Sequence, residues 1–219
     1  MTCSTPKLIA IVGKSGCGKT WVAARMAALL SRPLIVIVHT HQDPSYFAHI
    51  DEASTRLVGV HRGAPPLGTP FLLDCIAAGV RYVYISIYEL GPNAAREWLD
   101  SLVPSLEAIG NLALIVDEAH RFCRHEYVPE RLVELPRWAR SIGIDVVFVT
   151  HRLVDLSPDL RTVLTYLVMF HSDEPRDLDE CSQRLGMDRA WGDAVRSLSP
   201  YEHVVIDLEH GRRSPVRVV

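Results

Sequence analysis

The chain has 219 residues, 48% of them hydrophobic and 22% charged, with a formal net charge of −3. That length carries one α/β domain with a real core and leaves no room for two large ones. The slightly acidic balance excludes a strongly basic nucleic-acid coat protein, so any contact with DNA must come from a local basic patch.

Apolar, β-branched runs recur along the chain. They are Leu8 to Val12, Leu34 to Val38, a weaker Arg56 to Val60, Tyr82 to Ile87, Leu112 to Val116, Val146 to Val149, Leu164 to Phe170 and Val204 to Ile206. Nearly continuous apolar runs, unlike alternating ones, predict strands buried on both faces. Helices are predicted between them: Trp21 to Leu30, Asn93 to Leu106 with Asn93 as N-cap, Glu130 to Ser141 after Pro129, and Asp177 to Leu185 with Gly186 as C-cap. The stretch from His61 to Pro70, with three prolines and two glycines, predicts a loop, as does His171 to Pro175. Val204–Leu208 and Val216–Val219 flank His210-Gly211-Arg212-Arg213, which predicts a closing hairpin with a basic tip. Strands alternating with helices imply a mostly parallel sheet covered on both faces. No linker divides residues 1–219, so a single domain is expected. The longest apolar runs are of strand length, far from the roughly 20 residues of a membrane span. The N-terminal apolar run is too short for a signal peptide. The cysteines, Cys3, Cys17, Cys75, Cys123 and Cys181, are odd in number and form no CxxC pair, which fits reduced thiols in a cytoplasmic protein.

Gly13-Lys14-Ser15-Gly16-Cys17-Gly18-Lys19-Thr20 fits the phosphate-binding pattern G-x-x-x-x-G-K-[ST], after a strand and at the start of a helix, as that motif requires. The glycines let backbone N–H groups turn toward phosphate oxygens, and the helix N-terminus adds partial positive charge. Lys19 is expected on the β- and γ-phosphates of ATP and Thr20 on Mg²⁺. Lys14 reads as a solvated loop lysine whose backbone belongs to the cradle. Leu112 to Val116 ends in Asp117-Glu118. Carboxylates at the carboxyl end of such a strand suit two tasks: Asp117 in the Mg²⁺ shell, and Glu118 polarising the attacking water. The acidic pair argues for hydrolysis over phosphoryl transfer to a small molecule. Asp117-Glu118-Ala119-His120 also spells the signature of one helicase class, but those helicases need two stacked domains and this length holds one.

From Asp117 onward the chain resembles the HerA/FtsK superfamily of DNA-pumping ATPases. The resemblance rests on Asp117-Glu118-Ala119-His120-Arg121-Phe122, Ala139-Arg140-Ser141-Ile142-Gly143-Ile144, Val146 to Thr150, Leu156-Ser157-Pro158-Asp159-Leu160-Arg161 and Asp177-Leu178-Asp179, in that order and spacing. Asp43-Pro44-Ser45-Tyr46 is a weaker shared feature. The resemblance implies a RecA-like P-loop NTPase fold and a homo-oligomeric ring, usually a hexamer. It also implies ATP at subunit interfaces, double-stranded DNA in the pore and an arginine donated in trans to a neighbour's γ-phosphate. Arg140, before the strand, is the first candidate for that arginine, followed by Arg137 and Arg152. The family's Gln after the strand is His151 here; a neutral His also donates and accepts, so a γ-phosphate-sensing role carries over to it. Larger family members carry an extra barrel or membrane and DNA-reading modules. A chain of this size resembles the genome-packaging ATPases of membrane-containing viruses and phages with double-jelly-roll capsids. That implies capsid or portal proteins as partners and a place in the host cytoplasm or on the virion.

Other features stay open. His39 and His41 lie close, and His120, Cys123 and His125 could supply zinc ligands, but no fourth ligand stands at a sensible spacing. Trp21, Trp98, Trp138 and Trp191 read as core or interface residues. Arg62, Arg212 and Arg213 can touch phosphates or decorate solvated turns. Two other functions use the same motifs: a P-loop kinase of a small molecule, and a conjugation, secretion or morphogenesis ATPase.

Overall fold

A computed structural model describes residues 6–40, 46–123, 128–185, 189–210, 212–213 and 217–218. Seven parallel strands form its centre: β1 (Leu8–Val12), β2 (Leu34–His39), β3 (Thr55–Gly59), β4 (Tyr82–Ser86), β5 (Leu112–Val116), β6 (Asp145–Thr150) and β7 (Tyr166–Phe170). Their order is β7-β1-β6-β5-β2-β4-β3. β8 (Glu202–Asp207) adds antiparallel to β7, and the short β9 (Arg212–Arg213) and β10 (Arg217–Val218) both pair antiparallel with β8. Each apolar run predicted as a strand is one, and the closing antiparallel segment is present, but Arg212 and Arg213, expected at its tip, form β9 and pair with Asp207 and Ile206 of β8.

Except in the edge strand β3, where no residue is buried, the strand interiors are apolar on both sides because both faces are covered. Leu8, Ala10 and Val12 of β1 join one core, and Ile9 and Ile11 join the other. The first core is roofed by α2 (Thr69–Ala77), α3 (Pro92–Ile109), α4 (Glu130–Ile142), α5 (Pro158–Thr162), α6 (Pro175–Leu185) and α7 (Arg189–Arg196). The second is covered by α1 (Lys19–Leu29), whose Val22, Ala23, Ala24 and Ala27 bring its backbone close to the sheet.

Three boundaries differ from the sequence expectation, each through a proline. Asn93 does not cap α3: Gly91 does, because Pro92 has its φ preset for the first helical position and lacks only a donor that would be unpaired there. α2 opens at Thr69 with Pro70 in its first turn, so the end of the predicted His61–Pro70 loop is helical. Pro175 likewise starts α6 and does not end a loop. The five-residue α5, capped by Ser157 Oγ accepting from the Leu160 amide, and the eight-residue α7 are too short to be read as helices from the sequence. The proposed Gly186 cap, the Gly211 turn and Asp43-Pro44-Ser45 lie outside the described residues.

Candidate active site

The order of strands sets the site. β1 feeds the phosphate loop, β6 lies beside it, and β5 is next. Register pairs Val12 with Thr150 and Val116 with Phe148, so the residues after all three strands emerge along one edge. The Gly13 amide donates to the Thr150 carbonyl (3.3 Å), tying the loop to the tip of β6.

The loop is built for an anion. Gly16 (φ 77°) and Gly18 (φ 101°) take left-handed conformations that a side chain would strain. A Cβ on Gly13 would come within 2.7 Å of both Cys17 Sγ and Phe170 Cβ. Lys19 is 7% exposed, and its Nζ donates to the Lys14 carbonyl at 2.8 Å. Burial pushes its ammonium below the ordinary lysine range, and Cys17, Glu118 and Asp117 pull it only partly back. A buried cation turned onto its own loop carbonyl fits a polyphosphate, whose charge would relieve that desolvation. Lys14 is exposed, as a solvated loop lysine should be, and its Nζ pairs with Asp173 (2.9 Å), which His171 Nε2 also contacts at 2.9 Å.

Asp117 is 1% exposed and closely gripped. Its Oδ2 accepts from His39 Nε2 at 3.1 Å and the Tyr46 hydroxyl at 3.0 Å, and its Oδ1 accepts from the Glu118 amide at 2.7 Å. Burial pushes its carboxyl up, but the His39 hydrogen bond and charge, the Glu118 amide and the Tyr46 hydroxyl outweigh it and hold the group low. The group is therefore a carboxylate at neutral pH. Thr20 Oγ1 lies 3.5 Å from Asp117 Oδ2. Mg²⁺ keeps several waters and takes few protein oxygens, so this pair, with the carboxylate held ionised, suits it. His39 and Tyr46 were not assigned to the site from sequence. The signal for His39 was its position at the carboxyl end of β2, the strand paired with β5. Tyr46 was singled out only as part of a family feature.

Glu118 sits in the left-handed region (φ 54°, ψ 36°), which costs a non-glycine residue about 1–2 kcal/mol. The kink ends β5 and starts a single 3₁₀ turn, Ala119–Arg121. His151 Nε2 lies 3.4 Å from Glu118 Oε1, and His120 Nε2 lies 3.3 Å from Glu118 Oε2. The histidine in the family's Gln position thus meets Glu118. His120, set aside as part of a motif, stands on the other side of it.

Arg140 is elsewhere. It lies in the last turn of α4, just before β6 begins, and pairs with Glu209, which follows the end of β8 that pairs with the start of β7. That is the amino edge of the parallel strands, opposite the phosphate loop. Arg152 follows β6 and pairs with Glu174 at 2.6 Å, on the loop's own edge. Of the zinc set read from sequence, Cys123 is buried and its thiol is pushed up to about 12 by that burial; His125, like His41, lies outside the described residues. Trp98 and Trp191 are core residues; Trp138 is 41% exposed and donates to Glu107 Oε1.

A glycine cradle, a buried lysine and two carboxylates at the ends of parallel strands define a P-loop ATPase site. Residues 2–156 match the family described as AAA domain, and the chain belongs to that family. No curated protein is a significant sequence match. Among solved structures, the genome packaging NTPase B204 from Sulfolobus turreted icosahedral virus 2, in complex with AMP, matches at TM-score 0.70 and 18% identity, over 99% of this chain and 99% of that one. The DNA-packaging ATPase B204 from Sulfolobus Turreted Icosahedral Virus matches at TM-score 0.70 and 18% identity, over 98% and 99%. VirB4 of Thermoanaerobacter pseudethanolicus matches at TM-score 0.72 and 10% identity, over 100% and 91%. At these identities the likeness establishes the fold, a RecA-like P-loop domain. Among the described residues no helix is long and apolar enough to cross a membrane.

Proposed function

We propose that this chain hydrolyses ATP to move double-stranded DNA through a ring of its own copies, as a viral genome-packaging motor subunit of the HerA/FtsK kind. The observation that carries this reading is the convergence of Lys19, Asp117, Glu118 and His151 on one edge of a sheet whose fold is shared, end to end, with a genome packaging NTPase.

In this reading the amides from Gly13 to Thr20 and the Lys19 ammonium hold the triphosphate. Thr20 and Asp117 hold Mg²⁺, which would neutralise charge on the phosphates. Glu118 orients a water and draws its proton as the oxygen closes on the γ-phosphorus and the bond to ADP breaks. His151 touches Glu118, so it can report the γ-phosphate to the water-activating residue. Arg140, on the opposite edge from its own loop, serves a neighbour's nucleotide. The setting is the host cytoplasm or the virion, with capsid or portal proteins as partners.

The test is steady-state ATP hydrolysis with and without linear duplex DNA, with Lys19→Ala as blank. Stimulation by duplex DNA is expected. Turnover indifferent to DNA but raised by a small phosphate acceptor would replace the motor with a kinase. Arg140→Ala should bind ATP, fail to turn it over, and recover activity in mixed rings with Lys19→Ala; absent recovery removes Arg140 from the trans role.

A further inference from the structure

We infer that Glu118, His120 and His151 form a three-ligand site for a tetrahedral transition-metal dication of the Zn²⁺ class. The three come from two segments: Glu118 and His120 from the kinked turn after β5, His151 from the residue after β6. One ligand atom from each lies within 4.8 Å of the others, and all three side chains are partly buried.

The spacings favour a metal over simple ion pairs. Charge-assisted N–H···O⁻ bonds settle at about 2.7–2.9 Å. The two imidazole–carboxylate distances are longer, 3.3 and 3.4 Å. Ligands held about 2.0–2.1 Å from a tetrahedral Zn²⁺ lie about 3.3–3.4 Å from one another; His120 Nε2 meets Glu118 Oε2 and His151 Nε2 meets Oε1, so a turn of the carboxylate brings one oxygen to both imidazoles. The imidazole rings stand 4.4 Å apart between centroids, inclined at 39°, and one ligand nitrogen of each lies within 4.8 Å of the other. Two histidines and one glutamate leave the fourth position to water, an arrangement that Zn²⁺ accepts. Imidazole donors select Zn²⁺, Co²⁺ or Ni²⁺ over Mg²⁺, whereas the Thr20–Asp117 oxygens select the hard ion. The two cation sites are therefore adjacent and chemically distinct.

A metal at this site holds the carboxylate that the ATPase reading assigns to water activation. Binding stands on the geometry alone; the inhibition that should accompany it rests on the reading of Glu118. The two are separated by measuring binding without nucleotide and turnover with Mg²⁺ in excess.

The probe is Co²⁺ added to the full chain without ATP, followed by its visible absorption and then by displacement with Zn²⁺. The expected result is one Co²⁺ per chain with the intense bands of tetrahedral coordination. His120→Gln and His151→Gln should each weaken binding by at least tenfold, with unchanged circular dichroism and urea unfolding showing that the fold persists. His49→Gln, outside the cluster, should bind as wild type. Pale octahedral bands, or tetrahedral bands that survive in the His120→Gln, His151→Gln double variant, would overturn the site. Micromolar Zn²⁺ should also stop ATP turnover reversibly; tetrahedral Co²⁺ binding without loss of turnover would leave the metal site standing and remove Glu118 from water activation.

Discussion

Both edges of the parallel sheet bury a carboxylate at a strand end, and they use it differently. At the amino edge Asp145 accepts from the Lys7 amide (2.7 Å), Arg32 Nε (2.6 Å) and Arg32 Nη2 (3.3 Å), and Arg32 Nη1 reaches Asn111 Oδ1 (3.0 Å). Donors and acceptors there answer one another. At the carboxyl edge Asp117 is similarly gripped, but its neighbours are not: Lys19 leans on one loop carbonyl, and Glu118 stands in a strained conformation beside two long contacts. A saturated network fixes the fold, while an unsaturated one keeps binding capacity for what arrives.

The sharpest test separates these roles. Glu118→Gln keeps shape and loses the proton acceptor, so turnover should fall by up to about 10⁴-fold with ATP affinity nearly unchanged and folding stability intact. Single-turnover hydrolysis beside equilibrium nucleotide binding reads both quantities. An equal loss of affinity would mean that Glu118 holds ground-state ATP and that the two edges differ less than claimed. Arg32→Met should do the reverse: about 3–5 kcal/mol lost in urea unfolding, because a buried Asp145 is left without its cation, and nucleotide affinity unchanged in the folded fraction. A loss below about 1 kcal/mol would put Asp145 in contact with water.

A smaller effect probes the gripped carboxylate of the carboxyl edge. His39→Phe keeps an aromatic ring against Tyr46 and Tyr84 but removes the donor to Asp117. Mg²⁺-dependent nucleotide affinity should fall by about tenfold, as for other partners that orient metal ligands. The sign of the pH effect follows from Asp117, whose carboxyl is held low in the folded state. Its stabilising contribution is fully present above the unfolded value of about 3.9 and is lost as pH falls through the lower folded value. Without His39 the folded value rises, so acid unfolding followed by tryptophan fluorescence should begin at higher pH. An unmoved acid midpoint would assign the depression to the Glu118 amide and Tyr46.

Much of this was legible in the chain. The β1 strand, the loop from Gly13 to Thr20 and the Asp117-Glu118 pair each carry a local signature, because phosphate binding needs consecutive backbone amides and strand burial needs consecutive apolar residues. His39 and Tyr46 carry only weak ones, a place at the end of β2 and a minor family feature: they reach Asp117 because β2 lies beside β5 in a sheet whose order the chain does not spell out. His120 was visible but misfiled, since its neighbour His151 is far away in sequence. The proline-led starts of α3 and α6 were misjudged by one or two residues and α2 was not read as a helix, because a proline signals a break and a first turn with equal force.

The bond from the Gly13 amide to the Thr150 carbonyl has a mechanical consequence. It joins the phosphate loop to the segment carrying His151, and His151 rests on Glu118. Between the loop and the Glu118 carboxylate stand one hydrogen bond, one residue of backbone and the His151 side chain. Packed interiors transmit displacements with little slack. On the proposed reading, nucleotide arrival would need no long relay to be felt at Glu118: detector and actuator would share a single short lever.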